Sequence, residues 1–142
     1  MCVPSLIPSS ATRPTPGSSR SLQLALAAAK TAADNRATDV AVLDMREMTP
    51  LFDYFVLATG TSRRQLHAIS EDIDRVLQEE WGDKRDGIEG YRESRWILLD
   101  YGNVVVHLFD QETREYYSLE QLWSGARPVD LPAEILSANR PR

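Results

Sequence analysis

Gly60-Thr61-Ser62 joins an apolar, strand-like run to a helix-like run, and a turn of this kind can do chemistry. Backbone N–H groups at a helix N-terminus hold phosphate. Nucleotidyl transfer would also need at least two strand-borne carboxylates to hold divalent metals beside a triphosphate. Asp72 and Asp74 do not qualify, because both fall on the following helix, where residues two apart diverge. Asp100 is the one strand-borne candidate, and its neighbours are Leu99 and Tyr101. The turn is therefore read as a helix entry capped by Ser62. The other reactive types are sparse. His67 and His107 are far apart, and Cys2 is the sole cysteine, so neither a zinc site nor an internal disulfide is expected. No G-x-S-x-G elbow supports an esterase-type nucleophile. No catalytic, cofactor-binding or metal-ligating residue is assigned.

The stretch from Trp96 to Trp123 poses a different question. It holds six of the eleven aromatic residues, and Asp100, Asp110, Glu112, Glu115 and Glu120 against Arg114. Most of the chain's net charge of −5 lies there, which points to a basic partner and away from nucleic acid gripped through a Lys/Arg patch. Gly102-Asn103 reads as a two-residue hairpin turn between "WILLDY" and "VVVHLF". That register sets Trp96 opposite Phe109, Leu98 opposite His107 and Asp100 opposite Val105. Alternation puts Ile97, Leu99, Tyr101, Val104, Val106 and Leu108 on one face, the expected core side. The other face carries Trp96, Leu98, Asp100, Val105, His107 and Phe109, with Asp100 and His107 on a diagonal within reach. Large aromatics with a few polar groups suit an interface. The alternative is that the last helix or the tail covers this face.

The elements that position these residues follow from pattern. Residues 1–20 are rich in Pro, Ser and Thr and are expected to be disordered. The Ala-rich run from Ser21 predicts a helix with Leu22, Leu26 and Ala29 on one face, ending near Asn35. Residues 39–45 and 52–60 predict two strands, the second central and covered on both faces. They could pair as a hairpin around Thr49-Pro50 or lie parallel. Leu66, Ile69, Ile73, Val76 and Leu77 form the apolar stripe of a second helix, stopped by Gly82. His67, on or near that stripe, is read as packing. Residues 88–92 predict a weak edge strand, and residues 110–123 one or two short helices. The tail from Gly125 is expected to be irregular. The whole predicts one α/β (α+β mixed) domain over residues 21–125, a small mixed sheet of about five strands with flanking helices. A tail of residues 126–142 follows. No run of ~18 apolar residues suggests a membrane span.

"DYFVLATGTSRRQLHAI" and "EGYRESRWILLDYGNVVVHLFDQETREYYSLEQLW", with their spacing, resemble the Iojap-like ribosomal silencing factor family over residues 22–124. Trp96, Leu99-Asp100-Tyr101, Val106-His107, Phe109, Arg114, Tyr117, Leu119-Glu120 and Leu122-Trp123 carry the resemblance. It implies a nucleotidyltransferase-like fold without the metal-binding acids. It also implies a non-enzymatic factor that binds the large ribosomal subunit at the protein numbered fourteen. There it would block joining of the small subunit and repress translation when nutrients are short, and several members pair as dimers when free. The expected contact residues are Trp96, Leu98, Asp100, His107, Phe109, Tyr116, Tyr117, Leu119, Glu120 and Trp123. Leu119, Leu122 and Trp123 could equally pack the last helix. The implied location is the cytoplasm, or a plastid or mitochondrion in a eukaryotic source. The rival readings are a nucleotidyl- or phosphoryl-transferase using Gly60–Ser62 and Asp100, and an interaction domain for another basic protein.

Overall fold

A computed structural model describes residues 20–117, 125–133 and 135. The elements run α1 (Arg20–Asp34), β1 (Thr38–Asp44), β2 (Tyr54–Gly60), α2 (Arg63–Trp81), β3 (Gly87–Glu89), β4 (Trp96–Asp100), β5 (Val104–Asp110), α3 (Gln111–Tyr117) and β6 (Arg127–Pro128). Six strands form one mixed sheet in the order β3-β4-β5-β2-β1-β6. β2 and β5 pair in parallel at its centre, and the other pairs are antiparallel. All seven residues of β2 are buried, as an apolar strand covered on both faces requires.

The hairpin register is the one read from alternation: Trp96 faces Phe109, Leu98 faces His107 and Asp100 faces Val105. Gly102 turns the chain at φ 86°, and Tyr101 N–H donates to Val104 O at 2.9 Å. The open choice for the first two strands resolves as an antiparallel hairpin, with a bulge between Thr38 and Ala41 where Asp39 is left-handed. Arg127-Pro128, read as irregular tail, add a two-residue edge strand to β1.

One face of the sheet is packed by α1 and α2 over Val40, Val42, Tyr54, Val56, Ile97, Leu99, Val106 and Leu108. The buried stripe of α1 differs from the expected one. Leu24, Ala25, Ala28, Ala29 and Ala32 are buried, whereas Leu22 and Leu26 are only half-buried. Alanines let the helix approach closely, so the leucines are left at its flanks. The left-handed residue after α1 is Arg36 at φ 67°, not Asn35, whose side chain bonds back to Thr31 O and across to Asp72.

Ser62 caps α2, its Oγ accepting from Gln65 N–H at 3.1 Å. Gln65 then joins two helix ends through one amide. Its Oε1 accepts from Thr61 N–H at 2.6 Å, and its Nε2 donates to Asn35 O and Arg36 O at 3.0 and 3.1 Å. Orphan donors of α2 and carbonyls following α1 are thus satisfied together. Gly82, at φ 66°, ends α2.

Two outcomes follow. Gln65→Ala should lower stability by about 1–3 kcal/mol, since it removes three backbone-directed bonds at two helix ends. Urea denaturation reads this, and an unchanged midpoint would remove the junction role. A Cβ on Gly90 would lie 2.0 Å from Trp96 O, whereas one on Gly87 meets nothing within 4 Å. Gly90→Ala should therefore destabilise by several-fold more than Gly87→Ala, and equal thermal shifts would contradict that packing.

Candidate functional site

The sheet face away from α1 and α2 is built in two layers. The inner layer is Leu43, Met45, Phe55, Leu57, Val105 and Phe109, with His107 among them. The outer layer is Trp96 and Leu98, both half-buried, with Phe52 at one side. His107 and Phe109, expected as surface contacts, are 3% and 0% exposed, so nothing outside can touch them in this conformation. Burial on a central strand between β4 and β2 is the cause: the rings of Phe55, Phe109 and Trp96 close over the imidazole. Phe55 meets it edge-on at 4.7 Å between centroids, Phe109 lies parallel at 6.1 Å, and Trp96 is tilted at 6.0 Å.

Trp96 is held at both ends. Its indole packs on Phe109 at 5.3 Å, and its Nε1–H donates to His107 Nδ1 at 3.1 Å. Because Nδ1 accepts, the proton of the neutral ring sits on Nε2. Burial lowers the His107 pKa to about 4. The imidazole is therefore neutral at physiological pH and fixes the orientation of the half-exposed tryptophan.

Asp100 does not reach His107. Its Oδ1 accepts from Gly102 N–H at 2.8 Å and so closes the hairpin turn. Beside Trp96 a cleft of about 430 Å³ opens between β4 and α3, lined by Arg95, Trp96, Glu112, Thr113 and Tyr116. Tyr116 is 81% exposed, the most exposed large apolar side chain among the described residues. The structure thus brings Trp96, Leu98, His107 and Phe109 into one cluster with Tyr116 at its border. It turns Asp100 to the hairpin. Leu119, Glu120 and Trp123 lie outside the described residues, and so does the side chain of Tyr117.

Phe52 and Phe55 were missed among the site residues, although Phe55 alternates with Tyr54 and Val56 and so had to face this side. Phe52 packs on it at 5.3 Å. Arg114, the one cation of the acidic stretch, is 7% exposed. Its guanidinium donates to Thr59 Oγ1 at 2.9 Å and lies over the Phe109 ring at 5.8 Å. It ties α3 to β2 and β5.

The other reactive-looking groups have structural employment. At the Gly60–Ser62 turn, Gln65 already holds the Thr61 N–H that a phosphate would need. Asp72 takes Asn35 and Arg75, whose hydrogen bonds hold its carboxyl below the usual range. Asp74 takes the Tyr101 hydroxyl at 3.0 Å and Arg85 at 3.6 Å. Ser94 Oγ lies 2.6 Å from His67 Nε2, a spacing a nucleophile and base could share. Tyr91 O, however, sits 2.7 Å from the same nitrogen and 2.9 Å from Ser94 Oγ. A carbonyl only accepts, so Nε2 carries the proton, and His67 cannot take one from Ser94. With Tyr91 stacked on it at 4.0 Å, His67 anchors the loop before β4, in line with its reading as packing.

A family model described as "Ribosomal silencing factor during starvation" matches residues 18–142. The chain belongs to the ribosomal silencing factor family. A ribosomal silencing factor from Halalkalibacterium halodurans is 40% identical over 114 residues, covering 80% of this chain and 94% of the relative. The mouse protein named "Mitochondrial assembly of ribosomal large subunit protein 1" is 35% identical over 107 residues, 74% of this chain and 47% of that one. A crystal structure of a Chromobacterium violaceum protein superposes with a TM-score of 0.68 at 33% identity, covering 79% of this chain and 92% of the other. The names in this ribosomal silencing factor family point to a regulatory factor and not to an enzyme. Among the described residues no helix is long and apolar enough to cross a membrane.

The buried imidazole of His107 carries a pH signature. The unfolded ring takes a proton near pH 6.5 and the folded one near 4, so in that window the unfolded chain binds the extra proton. Stability should fall as pH drops through the window and flatten below it. The carboxylate of Asp44, held low chiefly by its hydrogen bond from Arg46, loses its contribution only below the ordinary carboxylate value of 3.8. Thermal melts between pH 8 and 4, with His107→Gln alongside, separate the two. The variant should lose most of the slope above pH 4, and an identical slope in both proteins would contradict the assignment.

Proposed function

We propose that this protein docks on the large ribosomal subunit through its protein numbered fourteen and sterically blocks joining of the small subunit. It thereby represses translation when nutrients are limiting. The observation that carries the docking reading is the fixed indole of Trp96. Buried His107 and Phe109 orient it, Leu98 flanks it, and the exposed ring of Tyr116 stands across the cleft. A rigid, half-buried aromatic binds with little ordering cost, which is what makes such residues interface hot spots. The four-charge acidic excess of the Trp96–Trp123 stretch suits a ribosomal protein, since such proteins are generally basic.

The mechanism needs no reacting group. Trp96, Leu98 and Tyr116 are the contacts; His107 and Phe109 act through Trp96 as positioning residues. The helices α1 and α2, on the far side of the sheet, provide the bulk that stands in the way of the small subunit. Free copies pair through the same face, so the ribosomal partner competes with self-association. The protein works where its ribosome works, in a bacterial cytoplasm or in a plastid or mitochondrion.

Binding of the purified partner protein, measured by isothermal titration, tests the contacts. Trp96→Ala and Tyr116→Ala should each weaken it by at least about 30-fold, the loss of a hot spot of ~2 kcal/mol. Folding is checked by circular dichroism. Unchanged affinity in both folded variants would move the interface elsewhere. A strictly monomeric free protein at micromolar concentration would remove the competition with self-association.

A further inference from the structure

Net charge conceals a polar arrangement of the cations. Arg36 follows α1, and Arg63 and Arg64 open α2. Arg92 and Arg95 lie in the loop between β3 and β4. These segments converge on one end of the sheet. Gln65 ties Arg36 O to the first turn of α2 at 3.1 Å. His67 on α2 holds the second loop through Ser94 and Tyr91. Asp110 N–H donates to Arg95 O at 3.0 Å, and Asp110 is the register partner of Gly60, two residues before Ser62. All five arginines are exposed.

Most of the other cations are already engaged. Among the described residues the ion pairs take up Lys30, Arg46, Arg75, Arg85 and Arg127, and none of these five arginines. Acids also lie at or beside this end, and of these Glu71 is held by the Tyr91 hydroxyl and Asp72 by Asn35 and Arg75. Asp39 and Glu93 are exposed, Glu112 lies in the cleft, and Asp110 is turned to the Thr113 N–H at 2.8 Å. The arginine loops are also held rigidly. The three left-handed non-glycine residues among those described, Arg36, Asp39 and Ser94, all fall at this end. Such backbone persists only where its surroundings hold it, and it gathers at functional surfaces.

We propose that the arginine end of the sheet grips the ribose–phosphate backbone of RNA without reading its bases. Guanidinium forks match phosphate oxygens in pairs. Arginines drawn from three segments and spread across a sheet end meet a repeating row of phosphates better than a single acidic side chain. That the RNA is ribosomal rests on the docking reading above; the surface itself does not. Anchored by its acidic aromatic face to protein and by its arginine end to RNA, the domain would be fixed in orientation on the subunit.

Fluorescence anisotropy of the full chain with a labelled RNA hairpin of about 20 nucleotides tests this. Raising salt from about 50 to 200 mM should weaken binding roughly 50- to 150-fold for four phosphate contacts. The triple variant R63Q/R64Q/R92Q, which leaves the cleft intact, should bind at least about tenfold more weakly and lower the salt slope by about three. The single variants R63Q and R92Q, each lowering the slope by about one, keep the test open if the triple variant does not fold. Hairpin binding that is absent, or equal in wild type and variants, overturns the proposal, and so does preference for a poly-aspartate peptide over the hairpin. The triple variant should still bind the isolated ribosomal protein. If wild type binds the hairpin but not that protein, the docking reading fails and the RNA surface stands.

Discussion

The parallel pairing of β2 with β5 is the constraint on which the rest depends. It sets two strands, more than forty residues apart in sequence, at the centre of the sheet, and both are buried on both faces. A parallel pair needs a long crossover, and here α2, β3 and β4 supply it. One face is then covered by α1 and α2. The other must be covered by something apolar, and the aromatic layer of Phe55, Phe109, His107 and Trp96 does this. The proposed docking surface is therefore the outer skin of a second core. That is why Trp96 is both partly exposed and tightly held.

Function follows from this division of labour. A neutral imidazole buried beneath an indole is a poor catalyst but a good clamp. Ser62, Ser94, His67 and Asp100 are each spent on a cap, a loop anchor or a hairpin. What remains at the surface is a set of fixed side chains of contrasting character: aromatic and acidic along β4 and α3, and cationic at the end of the sheet where α2 begins. Such a surface suits the proposed role of a domain that occupies space in a defined orientation.

Much of this was legible in the residues. The Gly102-Asn103 turn and strict alternation set the β4–β5 register, and Ser62 and Gly82 marked the ends of α2. Alternation also separated the two faces of the hairpin. It could not say how deep each residue lay, because depth depends on which strand sits alongside. His107 and Phe109 looked like surface until β2 was placed beside them. The Leu22/Leu26 face of α1 failed for a related reason: hydrophobicity favours leucine, while close packing against a sheet favoured alanine. The arginine end was hidden because a net charge of −5 sums over residues that the fold separates. Family membership came from the long ordered motif around Trp96, and it extends over residues 18–142.

The central claim is that the folded domain, held by its Trp96 face, excludes the small subunit from the large one. Sucrose-gradient sedimentation of purified large subunits, incubated with the protein before small subunits are added, tests it most directly. The protein should co-sediment with the large subunit, and joined ribosomes should fall in proportion to its occupancy. Joined ribosomes forming at the normal level with the protein still bound to them would contradict it.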